Sequence, residues 1–128
     1  MFAPILEAGP SFLPAWQAFC EEWRDAPEPP LYVVLGDLSR HILERLETGN
    51  LDGMDDIFDV IEIWHVDGDA YVKEAATIGL LEGLQNNLSH IEPSPLIVRS
   101  WLRPVSRTWW DKLNRFWEGD VHALRYDE

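Results

Sequence analysis

Between Arg45 and Lys73 the sequence holds eight acids and no base: Glu47, Asp52, Asp55, Asp56, Asp59, Glu62, Asp67 and Asp69. Carboxylates at this density support three kinds of chemistry. Paired carboxyls can share acid and base roles, but only where a cleft pushes their pKa values apart, and nothing in the spacing marks a cleft. Metal binding needs ligands that converge, and His65-x-Asp67-x-Asp69 has suitable residue types, since alternate residues of an extended loop can point the same way. The local reading uses all three residues without a metal: His65 in the last turn of a helix, Gly68 as its stop, and Asp69 as the next N-cap. The third kind is docking. Asp55, Asp59 and Glu62 recur at i, i+4 and i+7, with Asp52 and Asp56 beside them, so one helix face displays the charge. That face either receives a basic partner or only keeps the chain soluble.

Other candidates are weaker. Glu82, between Leu81 and Gly83, is expected to be partly buried and hydrogen-bonded to a neighbouring helix, because a buried carboxylate needs a donor. The segment RTWWDKLNRFW interleaves Arg107, Lys112 and Arg115 with Trp109, Trp110 and Trp117, a mixture that can bind nucleic acid by stacking and phosphate contact. Helical spacing instead turns Trp109, Leu113, Phe116 and Trp117 inward, leaves Trp110 or Trp117 as a partly exposed contact, and pairs Asp111 with Arg115. His41, His90 and His122 belong to no recognisable Ser–His–Asp set. No phosphate loop, dinucleotide fingerprint or H-E-x-x-H motif is present.

The net charge of −13 over 128 residues opposes non-specific attraction to nucleic acid or an anionic membrane. The single cysteine, Cys20, leaves no internal disulfide and no cysteine cluster for zinc. It falls in an apolar helical pattern, which predicts a buried or half-buried thiol. No stretch approaches the ~20 apolar residues that span a bilayer. The opening MFAPILEAGP lacks the basic region and apolar run of a secretion signal, so a cytoplasmic location is expected.

The elements that must position these residues all read as helices. After an irregular lead-in over 1–10, Ser11 suits an N-cap, Pro14 a first turn, and Phe12, Trp16, Phe19 and Trp23 a buried stripe ending near Arg24. DAPEPP is a stiff linker. Leu31, Val34, Leu35, Leu38, Ile42 and Leu46 match a second helix closed by Gly49, although LYVVL also reads as a short strand. Met54, Ile57, Phe58, Ile61 and Trp64 form the stripe of the acidic helix. A central helix from Asp69 to Leu88 is apolar on more than one side, so several neighbours should bury it. Its Ala75, Ala76, Gly79 and Gly83 leave room for another helix to approach its backbone. Ser89 to Pro95 is a break. A short helix covers about Pro95 to Leu102, stopped by Pro104, and the last runs from about Ser106 to Glu118, with 120–128 as a tail. The expected fold is a single all-α domain of about six helices in antiparallel hairpins, either a HEAT-like stack or an irregular bundle.

GDLSRHILERLETGN, then the acidic helix, then YVKEAATIGLLEGLQNN and finally WWDKLNRFWEG together resemble a family of small, acidic, all-helical bacterial proteins of unknown function, similar to immunity proteins of toxin systems. The resemblance rests on Gly36-Asp37 before an amphipathic helix, Leu81-Glu82-Gly83-Leu84 later, and Trp109 to Asp111 with Phe116 to Gly119 at the end. It covers roughly 31–119 and supplies no catalytic residues. The acidic run, taken with this resemblance, leads to the expectation of a protein-binding module, of immunity type against a basic toxin, with Asp52, Asp55, Asp56, Asp59 and Glu62 at the interface; no cofactor, metal, nucleic acid or membrane is expected. The alternatives are a structural or regulatory adaptor and, behind it, a small-molecule enzyme.

Overall fold

A computed structural model describes residues 2–87 and 95–117. The expected break at Ser89, most of the linker to Pro95, His90, His122 and the 120–128 tail lie outside these residues. All regular structure among the described residues is helical, and the helices form an irregular bundle: α1 (Ala3–Ala8), a 3₁₀ turn (Pro10–Phe12), α2 (Leu13–Glu22), α3 (Leu31–Thr48), α4 (Met54–Asp67), α5 (Ala70–Glu74), a π-helical stretch (Ala75–Leu81), α6 (Glu82–Asn87), α7 (Pro95–Trp101) and α8 (Pro104–Trp117). The segment 31–35 is therefore helix and not strand.

The lead-in is the first departure from expectation. Residues 3–8 form a helix, with Pro4 in its first turn, where a missing N–H costs little. Phe2 and Ile5 are buried, and Phe2 stacks on Trp16 at 4.6 Å between ring centroids and meets Trp64 edge-on at 6.1 Å. This aromatic contact is what holds so short a helix. It ends at Gly9, where an added Cβ would stand 2.8 Å from Ile57 Cδ1. α1 therefore lies hard against α4. Phe12 of the 3₁₀ turn and Phe19 of α2 are buried as expected, but Cys20 is exposed. One residue along a helix is about 100° of rotation, so burying Phe19 turns its neighbour outward. Ser11 caps nothing; its hydroxyl lies 2.8 Å from His41 Nε2.

α3 buries Val34, Leu35, Leu38, Ile42, Leu43 and Leu46. It closes in a Schellman motif, with Gly49 left-handed at φ 75° and the Asn50 and Gly49 amides donating to the carbonyls of Arg45 and Leu46. Asp69 caps the next helix by accepting from the Val72 amide at 2.9 Å, as its position after Gly68 predicts.

The central helix runs from α5 through the π stretch to α6 and is buried on several sides, including Ala75, Ala76, Gly79, Leu80, Leu81 and Leu84. The glycines do what their size suggests. A Cβ on Gly79 would stand 2.6 Å from Leu35 Cδ1 and 3.2 Å from Tyr32 Cδ1, and one on Gly83 would stand 3.0 Å from Ser39 Oγ. α3 thus packs backbone-close along the central helix. What the periodicity does not show is that Ala75–Leu81 is π-helical, a wider turn that moves the face by less than 100° per residue. Thr77, a polar interruption of the sequence pattern, is consequently among the buried residues.

α8 begins at Pro104, two residues earlier than expected, with proline in the first turn. Its buried face carries Trp110 and Leu113, while Trp109 is half-buried with the Lys112 ammonium 4.4 Å over its ring. Trp109 thus packs only partly against the core, and Trp110, expected as a partly exposed contact, is buried in it. Asp111 pairs with Arg99 of α7, at 2.8 and 2.9 Å, and not with Arg115.

Candidate functional site

The acidic face divides into two parts. Asp52, Asp55, Asp56 and Asp59 are exposed, on α4 or just before it. Glu62, at the inner edge, is half-buried and committed to the fold. Its Oε2 accepts the Val105 amide at 3.0 Å, and its Oε1 accepts the Ser106 amide at 2.8 Å and the Ser106 hydroxyl at 2.7 Å. These are orphan amides of the first turn of α8, and a carboxylate there also meets the positive end of the helix dipole. Burial alone would raise the Glu62 carboxyl; the Ser106 and Val105 amides and the Ser106 hydroxyl outweigh it and hold the group below the usual carboxylate range. The expectation that Glu62 offers its charge to a partner is corrected here: its side chain caps α8.

Arg103, just before α8, ties the same two elements together. Its Nε donates to Asp59 Oδ1 at 2.9 Å, and its Nη2 to Asp55 Oδ1 at 3.1 Å. The Asp55 and Asp59 side chains still have 77% and 58% of their surface in water, so both can meet a further cation. Asp52 and Asp56 are exposed, and among the described residues their side chains make no ion pair. The loop before α4 is pinned by the buried Arg45 guanidinium, which donates to the Asp52 carbonyl, and by Gly53 at φ 71°. A Cβ at Gly53 would stand 2.6 Å from the Ala8 carbonyl oxygen.

That close approach builds a groove that the sequence pattern did not reveal. Pro4, Glu7 and Ala8 of α1 face Asp56, Asp59 and Val60 of α4 across about 340 Å³. Glu7 therefore joins the acidic face. Its only signal in the sequence is its charge, because the helix that positions it was read as irregular.

The other candidates separate. His65 is buried; its Nδ1–H donates to the Ile61 carbonyl at 2.8 Å and lies 3.3 Å from Ser106 Oγ, while its Nε2 is buried without a partner. Burial lowers its pKa against the smaller raising effects of the Ile61 bond and the Glu62 charge, so the ring is neutral at pH 7. It does lie in the last turn of α4, as expected, but as a buried ring. Asp67 is exposed and Asp69 serves as a helix cap, so the His65-x-Asp67-x-Asp69 set does not converge. Glu82 is half-buried and its carboxyl is pushed up by burial. Among the described residues no side-chain bond to a neighbouring helix reaches it, contrary to expectation. In the basic–aromatic segment, Arg107 donates to the Leu102 carbonyl at 2.7 Å and Trp110 is core.

No helix among the described residues is long and apolar enough to cross a membrane. Residues 2–118 match a protein family described as a domain of unknown function, DUF7674, and the chain belongs to that family. The match spans nearly the whole all-helical unit, including α1, which lies before the segment that carried the resemblance seen in the sequence. No curated protein and no solved structure matches the chain.

Proposed function

We propose that this protein is a non-catalytic, cytoplasmic binding module that captures a basic protein through the acidic groove between α1 and α4, and that it acts as an immunity-type protein against a bacterial toxin. The observation that carries the reading is the arrangement around Asp55 and Asp59. Two carboxylates one helical turn apart already hold the Arg103 guanidinium and keep most of their surface in water, and Asp59 also lines a groove with Glu7 and Asp56 on its walls. A second arginine or lysine entering that groove meets unpaired carboxylates. Complementary charge of this kind accelerates encounter and selects against acidic partners. Glu62 and Arg103 are excluded from the interface; they hold α8 against the back of the site.

A tagged protein used as bait in its own cell lysate tests the reading, with a Glu7→Lys/Asp52→Lys/Asp56→Lys variant beside it. None of these three side chains makes an ion pair or hydrogen bond among the described residues, so the substitutions spare the fold. A basic protein retained by the native bait, released by salt and absent from the variant is the expected result. Equal retention by both baits removes the groove from the interface. Capture of nothing by either leaves the acids as a solubility device.

A further inference from the structure

A second cleft lies elsewhere, at the end of the α3–α4 hairpin away from Asp52. It spans about 560 Å³ and is lined by Glu28, Pro29, Pro30, Leu31, Tyr32 and Tyr71. Volumes of this order hold small organic ligands. Three features give it a chemical preference. Tyr32 and Tyr71 keep 40% and 50% of their surface exposed, whereas Phe2, Phe12, Phe19 and Phe58 are buried. Glu28 is the one lining residue that is charged at neutral pH, and it makes no ion pair among the described residues. The walls are also stiff. Consecutive prolines fix the approach to α3, and the Tyr32 ring runs along Gly79, its Cδ1 3.2 Å from where a Cβ would stand.

We propose that this cleft binds a small organic ammonium ion, a quaternary or alkylated amine, between the Tyr32 and Tyr71 rings with Glu28 as counter-charge. An aromatic face attracts a cation through its quadrupole, and the attraction is largest for alkylated ammonium groups that shed water readily. A carboxylate at the rim adds the matching charge, and the net charge of −13 favours cations over anions throughout. The site goes beyond the proposed docking role. It uses none of the groove residues, so either reading can fail without the other. The same alkylated ammonium chemistry also occurs on a trimethylated lysine side chain, and the experiment separates the two sources.

Titration of the isotopically labelled protein with choline, with its neutral carbon isostere 3,3-dimethyl-1-butanol, and with a short peptide bearing trimethyllysine tests the site. Choline is expected to saturate shifts at Glu28, Leu31, Tyr32 and Tyr71, with the isostere at least about tenfold weaker. Tyr71→Ala and Glu28→Gln should each weaken choline by about tenfold while leaving the thermal midpoint unchanged, since both residues are exposed. Tighter binding of the peptide than of choline would identify a displayed side chain as the source; the reverse would identify a free amine. No saturable shift with either cation, or equal binding of choline and its isostere, overturns the proposal.

Discussion

His65 carries its proton on Nδ1, because the Ile61 carbonyl 2.8 Å away can only accept. A second proton would have to sit on Nε2, which is buried and faces no acceptor. The folded protein therefore resists protonation of this ring and the unfolded chain does not. With the folded pKa below the unfolded one, the unfolded state takes up the proton first as pH falls. Stability is then lost from about pH 6.5 downward. The urea midpoint should fall between about pH 7.5 and about pH 5.5, and His65→Phe should flatten that slope. An unchanged slope in the variant would contradict the assignment, because His41, whose pKa burial also lowers, would then carry it alone. Glu62 acts in a lower window. Its folded pKa lies below the ordinary value, so its contribution is present at neutral pH and disappears only as pH falls below about 4.5. Glu62→Ala leaves the Val105 and Ser106 amides without their acceptor and should cost about 1–3 kcal/mol. Arg103→Ala removes two ion pairs to exposed carboxylates and hydrogen bonds to the Trp101 and Asp55 carbonyls, leaves no buried amide without its acceptor, and should cost less, about 1 kcal/mol. The order of these two in chemical denaturation separates the cap from the ion pairs.

At the scale of the element, the decisive contact is α3 against the central helix. Gly79→Ala gains about 1 kcal/mol of helix propensity. It also drives a methyl to within 2.6 Å of Leu35 Cδ1, and Leu35 is fully buried. Overpacking of this kind costs about 1–3 kcal/mol, so the net effect should be destabilising. Gly83→Ala presses chiefly on Ser39, with 3.0 Å to its Oγ, and should cost less. A thermal melt in which Gly79→Ala is stabilised would mean that α3 and the central helix sit farther apart than described. These contacts were legible because they follow from residue size and period: the α3 stripe, the Gly49 stop, the Asp69 cap and the small face of the central helix all need only local rules. α1 was not legible. Its six residues are held by Phe2 against Trp16 and Trp64, rings that are distant in sequence. The burial of Trp110 has the same origin, since moving one residue along a helix carries a side chain about 100° around it and only the neighbours choose which is buried most.

For the whole molecule, the acidic run is readable as composition but not as a site. The i, i+4, i+7 pattern grouped Glu62 with Asp55 and Asp59, yet the fold spends Glu62 on α8 and replaces it with Glu7 from α1. Both changes depend on contacts across about 40 to 50 residues, which no local pattern encodes. What remains is a groove lined by Glu7, Asp56 and Asp59, with Asp52 and Asp55 exposed near it in the sequence, on a bundle with a surplus of negative charge. The most direct test is the association rate of the captured basic partner with the native protein and with the Glu7→Lys/Asp52→Lys/Asp56→Lys variant as salt is raised. If the groove steers the partner, the native rate is at least about tenfold faster at low salt and the two rates converge at high salt. Equal rates at every salt concentration would contradict the acidic groove as the place where the partner lands.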